Sequence, residues 1–126
     1  MSLIPFRALV PALAALAMIA SAGVARGDEA AAFMSEMADI PLMPGLAEIE
    51  GAGLAFDAAA GRIVESYAGG AAAPAAILDF YDRTLPQLGW EGMAEAGTFR
   101  REGEILRLEF IEDGDQILVR FFLSPG

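Results

Sequence analysis

"TFRREGEILRLEFIEDGDQILVRFF", residues 98–122, decides how this chain folds. It holds two turn dipeptides, Glu102-Gly103 and Asp113-Gly114, flanked by runs in which apolar and polar residues alternate. Successive strand side chains point to opposite faces, and dipeptides of this kind suit two-residue hairpin loops. With Glu102-Gly103 as one loop, Phe99 stands opposite Leu106. With Asp113-Gly114 as the other, Phe110 meets Ile117, Leu108 meets Val119 and Leu106 meets Phe121. Every pair is apolar, and a slip of one residue turns all of them to the wrong face. The stretch predicts a three-stranded antiparallel meander.

The same register has a second face. There Ile105 pairs with Phe122, Glu109 with Leu118, and Arg107 stands opposite Arg120. Like charges directly opposed are unfavourable, unless Glu109, diagonal to Arg120, and other acids relieve them. A face bathed in water would not carry Ile105, Ile111, Leu118 and Phe122 together. We therefore take Ile105, Arg107, Ile111, Leu118, Arg120 and Phe122 as a candidate interaction face, with Leu42 and Met43 as neighbours. Arginines set among apolar residues are common at protein interfaces.

Upstream, residues 75–88 read as a helix. Ile77, Tyr81, Leu85 and Leu88 recur at helical spacing, with Phe80 and Thr84 beside them, while Asp79, Asp82 and Arg83 face outward. Pro74 suits its first position, and Pro86 tightens its last turn. Gly89 fits the left-handed position past the end, which predicts that Trp90 folds back onto Leu85 as a capping and core residue. Before the helix, 54–57 and 62–67 form a hairpin across "AAAG", and "AGGAAAPA" (68–75) is a flexible connection.

The segment 28–38 reads as a short helix with Phe33, Met34 and Met37 as its apolar stripe, stopped at Pro41. "IPLMPG" (40–45) is then extended, because a residue before proline is pushed out of the helical region. We expect it to be structural, running along the sheet and placing Leu42 or Met43 in a core. Together with 28–38 it is the nearest unassigned apolar material for the second sheet face. The fold expected is α+β: an antiparallel sheet of about four to five strands with one main helix on one face.

Residues 1–27 have the parts of a secretory signal peptide: Arg7, an apolar run over 8–19, then small residues. Cleavage fits after Ala22, Ala25 or Gly27 and leaves a single domain over 39–126 behind the short 28–38 helix. The alternative is an uncleaved inner-membrane anchor, since 18 uncharged residues separate Arg7 from Arg26. Arg26-Gly27-Asp28 at this boundary is read as a chance tripeptide, not an adhesion motif.

Without its 26 alanines, 44 of the 126 residues are strongly apolar, ordinary for one globular domain. From Asp28 on, 18 acidic residues face six arginines, a net charge of −12. That sign repels nucleic acids and anionic lipid headgroups, so neither is an expected partner. There is no lysine, histidine or cysteine.

Ser35, Ser66, Ser124, Thr84 and Thr98 therefore have no imidazole to activate them. The carboxylate pairs Asp79/Asp82 and Glu109/Glu112 could support acid-based hydrolysis, and Glu112, Asp113 and Asp115 offer calcium-type oxygens. Solvated faces and a hairpin loop explain them more simply. No catalytic residue, metal site or cofactor is assigned.

"IPLMPGL", "GRIVESYA", "AAILDFYDRTLPQLGW" and the meander together resemble a group of small exported bacterial proteins and lipoproteins. In these a Pro-x-x-Pro-Gly lead-in precedes a β-α-β-β unit whose helix carries Phe-Tyr and ends in Gly-Trp. The resemblance spans about 40–123 and implies a fold rather than an activity. The chain departs from the lipoprotein members in having no cysteine to carry the lipid.

The resulting expectation is a periplasmic or secreted non-catalytic domain that binds a protein partner or associates with itself. Once the signal is cleaved it has no stable membrane insertion. The alternative is a carrier of a small apolar ligand held between the helix and Leu106, Leu108, Phe110, Tyr81 and Trp90.

Overall fold

The computed structural model describes residues 32–126. The expected signal peptide and the first residues of the 28–38 helix lie outside the described residues. The strands are β1 (Leu46–Glu48), β2 (Leu54–Ala58), β3 (Gly61–Gly70), β4 (Glu91–Gly92), β5 (Thr98–Arg101), β6 (Glu104–Asp113) and β7 (Gln116–Pro125). One helix, α1 (Pro74–Thr84), continues into a 3-10 turn at Leu85–Leu88. All pairings are antiparallel, in the order β1-β3-β7-β6-β5-β4, with β2 also on β3. The class is α+β as expected, with seven strands rather than four to five.

The meander forms, and its two turns teach different lessons. Arg101 pairs with Glu104 and Phe99 with Leu106, so Glu102-Gly103 is the loop the sequence indicates. Both residues take positive φ, 47° and 83°, as a type I′ turn requires. In the second hairpin Asp113 pairs with Gln116, so the loop is Gly114-Asp115, not Asp113-Gly114. Gly114 has φ +68° and Asp115 does not take positive φ, the pattern of a type II′ turn with glycine first.

The register moves by two residues, which keeps every side chain on its expected face and changes its opposite number. Phe110 now pairs with Val119, Leu108 with Phe121 and Leu106 with Leu123. Glu109 stands opposite Arg120, and Arg107 opposite Phe122. The shift thus replaces the unfavourable arginine pair with an ion pair.

β3 is longer than expected because Ala68–Gly70, read as flexible connection, remain in the sheet between β1 and β7. A Cβ at Gly70 would run into the Gly45 carbonyl, so the missing side chain there lets the start of β1 approach. Helix α1 starts at Pro74, and the 3-10 turn coincides with Pro86. The Gly89 N–H donates to the Pro86 carbonyl (3.2 Å) and the Trp90 N–H to the Leu85 carbonyl (3.1 Å), the paired bonds of a Schellman cap. Trp90 and Leu85 both lie in the core, as the glycine position implied. Leu88 is exposed, because the tighter turn rotates it off the helix stripe.

The described part of the expected 28–38 helix, residues 32–38, is a series of bends and turns. Phe33 bridges to Pro41, the Met34 N–H donates to the Ile40 carbonyl (2.9 Å), and the Leu42 N–H donates to the Ala32 carbonyl (3.0 Å). The chain thus doubles back on itself. Met34, Met37 and Ile40, spaced by three, are all buried, while Phe33 points out. Tertiary burial outcompetes a helix too short to hold itself.

Tyr81 on α1 anchors this loop: its hydroxyl donates to the Pro41 carbonyl (2.7 Å) and accepts from the Met43 N–H (3.1 Å). Burial pushes the Tyr81 phenol well above its ordinary pKa of 10.0, so it stays a donor. Asp39 is ion-paired with Arg101, whose guanidinium lies 4.4 Å above the Trp90 ring. The "IPLMPG" segment is therefore structural, with Leu42 and Met43 packed at the margin of the core.

Both covers, α1 and the 32–43 loop, lie on the same side of the sheet. The core they close contains Val64 and Ala68 of β3, Val119, Phe121 and Leu123 of β7, Leu106 and Leu108 of β6, and Phe99 of β5. The N-terminal segment, the nearest unassigned apolar material for the second face, thus packs on the inner face instead. It is drawn to the inner face by the Tyr81 hydroxyl and by three buried apolar side chains.

Candidate interaction face

The outer face carries the alternate residues of the same strands. Ile63, Glu65 and Tyr67 of β3 stand beside Phe122 and Arg120 of β7, and these beside Arg107 and Glu109 of β6. Apart from the chain end at Gly126, no described segment lies across this layer, and several of its large apolar side chains keep much of their surface. Ile111 is 50% exposed, Leu54 53% and Phe56 49%.

The six residues singled out from the sequence fall on this one face, but they are not equivalent. Ile105 is buried, because the chain end folds over it: the Gly126 N–H donates to the Gly103 carbonyl (2.7 Å), and a Cβ at 126 would lie 2.6 Å from Ile105 Cγ1. Ile111 and Arg107 are exposed, while Leu118, Arg120 and Phe122 are half-buried. Leu42 and Met43, expected as neighbours, belong to the opposite side.

Arg120 organises the centre. Its Nε donates to Glu65 Oε2 (2.6 Å), its NH1 donates to Glu109 Oε1 (2.8 Å), and its guanidinium lies 4.6 Å above the Phe122 ring. Burial works against this cation, yet hydrogen bonds to Glu65, Glu109 and Tyr67 outweigh it and hold its pKa above the ordinary arginine value. A guanidinium fixed by two carboxylates is a rigid, internally neutralised feature, not a free charge.

Arg100 and Arg107 differ. They are diagonal neighbours across β5 and β6, both are exposed, and among the described residues neither makes an ion pair. The face therefore shows two free cations on a strongly acidic domain.

Sequence reading missed Leu54, Phe56, Ile63, Glu65, Tyr67 and Arg100. Alternation in "LAFDA" and "GRIVESY" does mark two faces. The missing information was that β3 pairs with β7, a long-range contact between residues as far apart as Val64 and Leu123 that aligns these rows into one surface.

Where an apolar ligand was considered, Tyr81, Leu106, Phe99 and Phe121 are essentially fully buried. Five concavities open at the surface, and none of these five is lined by Tyr81, Trp90, Leu106 or Leu108.

The carboxylates considered for chemistry are also at the surface. Asp79 pairs with Arg83 on the exposed side of α1 (3.2 Å), and Glu109 is engaged by Arg120. Glu112, Asp113 and Asp115 lie around the exposed β6–β7 turn. Among the described residues no helix is long and apolar enough to cross a membrane. Searches against known family models, curated proteins and solved structures each found nothing that matches this chain.

Proposed function

We propose that this chain is an exported, non-catalytic domain that binds a protein partner through the outer face of its sheet. The observation that carries this reading is the bare outer layer: one side of the sheet is covered twice over, by α1 and the 32–43 loop, and the other by nothing described but the chain end. Exposed apolar patches rimmed by polar groups mark interaction sites. The free Arg100 and Arg107, with Phe122 opposite Arg107 and Ile111 further along β6, suit a partner that offers carboxylates amid apolar side chains. Export rests on the signal-like N-terminus, and a periplasmic or secreted location follows from it.

The test is a photo-crosslinking amino acid placed at Ile111 or Leu118, and at Asp82 on the solvent side of α1, in the producing cell. The reading expects one discrete adduct from 111 and 118, none from 82, and loss of the adduct on Phe122→Glu. Equal labelling from both sides, or an adduct that survives Phe122→Glu in a folded protein, overturns it. An adduct of twice the chain's mass identifies the partner as a second copy.

A further inference from the structure

The rim of the sheet at β2 is open. β2 pairs with β3 alone, and among the described residues no hydrogen bond from another segment reaches Leu54–Ala58. The phase of the ladder says which groups are left over. The Ile49 N–H donates to the Tyr67 carbonyl (2.8 Å), so the odd-numbered residues of β3 turn their backbone groups towards β1 and β2. Bonded and non-bonded pairs alternate in an antiparallel ladder, and Gly61, Ile63 and Glu65 therefore bond to Ala58, Phe56 and Leu54. The N–H and C=O of Ala55 and Asp57 point the other way, out of the rim. Such a row is a template for one more strand, and β2 is exposed along its whole length with neither proline nor lysine to blunt it.

The two sides of this rim differ in chemistry. Leu54 and Phe56 stand on the outer face. On the inner side Asp57 borders a concavity that Glu36 of the 32–43 loop also lines. Neither carboxylate makes an ion pair among the described residues. Arg62, directly across from Asp57, is committed to Glu104 through two hydrogen bonds (2.9 and 3.2 Å). An added strand keeps the alternation of its neighbour. Its residues opposite Ala55 and Asp57 would meet the acidic side, and those opposite Leu54, Phe56 and Ala58 the apolar side.

We propose that β2 accepts, as an added strand, an extended peptide in which apolar and basic residues alternate. Backbone bonds to Ala55 and Asp57 supply the affinity, and the alternate side chains supply the specificity. Charge selects this occupant over a second copy of the chain. Pairing β2 with β2 about a two-fold at Phe56 sets both Asp57 carboxylates diagonally across one seam, where like charges are unfavourable. A basic peptide replaces that repulsion with attraction. The site uses neither Arg100 nor Arg107, so it does not rest on the partner proposed for the outer face.

The experiment is an amide chemical-shift titration of the purified chain with a capped peptide of core Ile-Arg-Val-Arg-Ile, with Ile-Glu-Val-Glu-Ile as comparison. Saturable shifts centred on Ala55 and Asp57 are expected, roughly tenfold tighter for the arginine peptide. Ala55→Pro deletes an outward N–H and leaves the β3 ladder intact, which an edge strand tolerates. It is expected to keep the thermal midpoint and to weaken the peptide roughly tenfold or more. Asp57→Lys is expected to reverse the order of the two peptides. Asp82→Asn removes a carboxylate elsewhere and is expected to change nothing.

The proposal is overturned by any of four results. These are no saturable site, shifts centred on Ile111 and Leu118 instead, the glutamate peptide binding as tightly, or Ala55→Pro binding normally while folded. Should Ala55→Pro lower the thermal midpoint, Asp57→Lys decides in its place, and an unreversed order overturns the proposal. Shifts of the Ala55 and Asp57 amides on raising the concentration of the chain alone would make a second copy the occupant and overturn it as well.

Discussion

Phe121 and Phe122 are neighbours in sequence and stand on opposite faces of β7. Phe121 is fully buried, in edge-to-face contact with Tyr81 at 5.6 Å between ring centres. Phe122 is half-buried and lies under the Arg120 guanidinium. The inner face of the sheet is closed by two covers from the same chain, and the outer face is left to charge pairs and half-exposed apolar residues. The contrast teaches that one sheet can hold its packed core on one side and leave the other to the partner proposed above. Alternation along each strand keeps the two roles on separate side chains.

The largest way to break this contrast is to truncate the adjacent rings one at a time. Phe121→Ala should cost about 3–5 kcal/mol in urea unfolding, since it removes a core ring and leaves a cavity. Phe122→Ala should cost about 1 kcal/mol or less, because its ring is only half withdrawn from water, and should act on partner binding instead. Equal losses of stability would mean that the outer face is covered by the chain itself.

Next in size is Tyr81→Phe, which keeps the ring and deletes the hydroxyl. The Pro41 carbonyl and Met43 N–H lose their partner, at a cost of about 1–3 kcal/mol. Hydrogen exchange should quicken over 40–43 and stay unchanged in β6 and β7. Uniform quickening would show that the loop is held by its methionines rather than by Tyr81.

The second hairpin offers a sharper local comparison. Gly114→Ala forces a Cβ onto φ +68° and should cost about 1 kcal/mol. Asp113→Ala, at an exposed strand end, should be neutral within about 0.5 kcal/mol. The reverse order would favour the Asp113-Gly114 loop and its two-residue-shifted register.

The smallest effect is one of pH. The Asp39 carboxyl is partly desolvated, which on its own would raise its pKa, but the Arg101 hydrogen bond and charge hold it below the ordinary 3.8. Its carboxylate therefore binds a proton less readily in the folded chain than in the unfolded one. The stabilisation it gives is complete above the unfolded value of 3.8 and is lost as pH falls through the lower folded value. Asp39→Asn should flatten the thermal midpoint between about pH 5 and 2 relative to the parent, slightly, because the pair is half-exposed. No flattening would show the pair to be energetically idle.

How far the fold was legible follows the range of the interactions. The helix, its proline start, its glycine cap and the return of Trp90 onto Leu85 lie within about 17 residues and were readable from spacing. The strand faces in 98–122 were readable too, because side-chain direction depends only on alternation. The loop at 113–115 was not, since "DGD" supports two registers of the same parity. In the register adopted Glu109 stands opposite Arg120, a pairing that neither local turn preference reveals.

The 32–38 segment misled because Met34 and Met37 fit a helix spacing equally well in a doubled-back loop. Of the candidate face, the β6 and β7 residues were legible. Leu54, Phe56, Glu65 and Tyr67 were not, because nothing in the sequence says that β3 lies beside β7.

The sequence alone thus determined the main helix with its cap, the strands of the meander and which side of each of those strands is apolar, because φ/ψ preference, capping and alternation act over a few residues. Only the tertiary structure decided which face the N-terminal loop covers, where β1 and β2 part along β3, and which apolar row is left bare. Those outcomes depend on long-range pairing and on competition between two faces for the same apolar segment, and no local pattern carries that information.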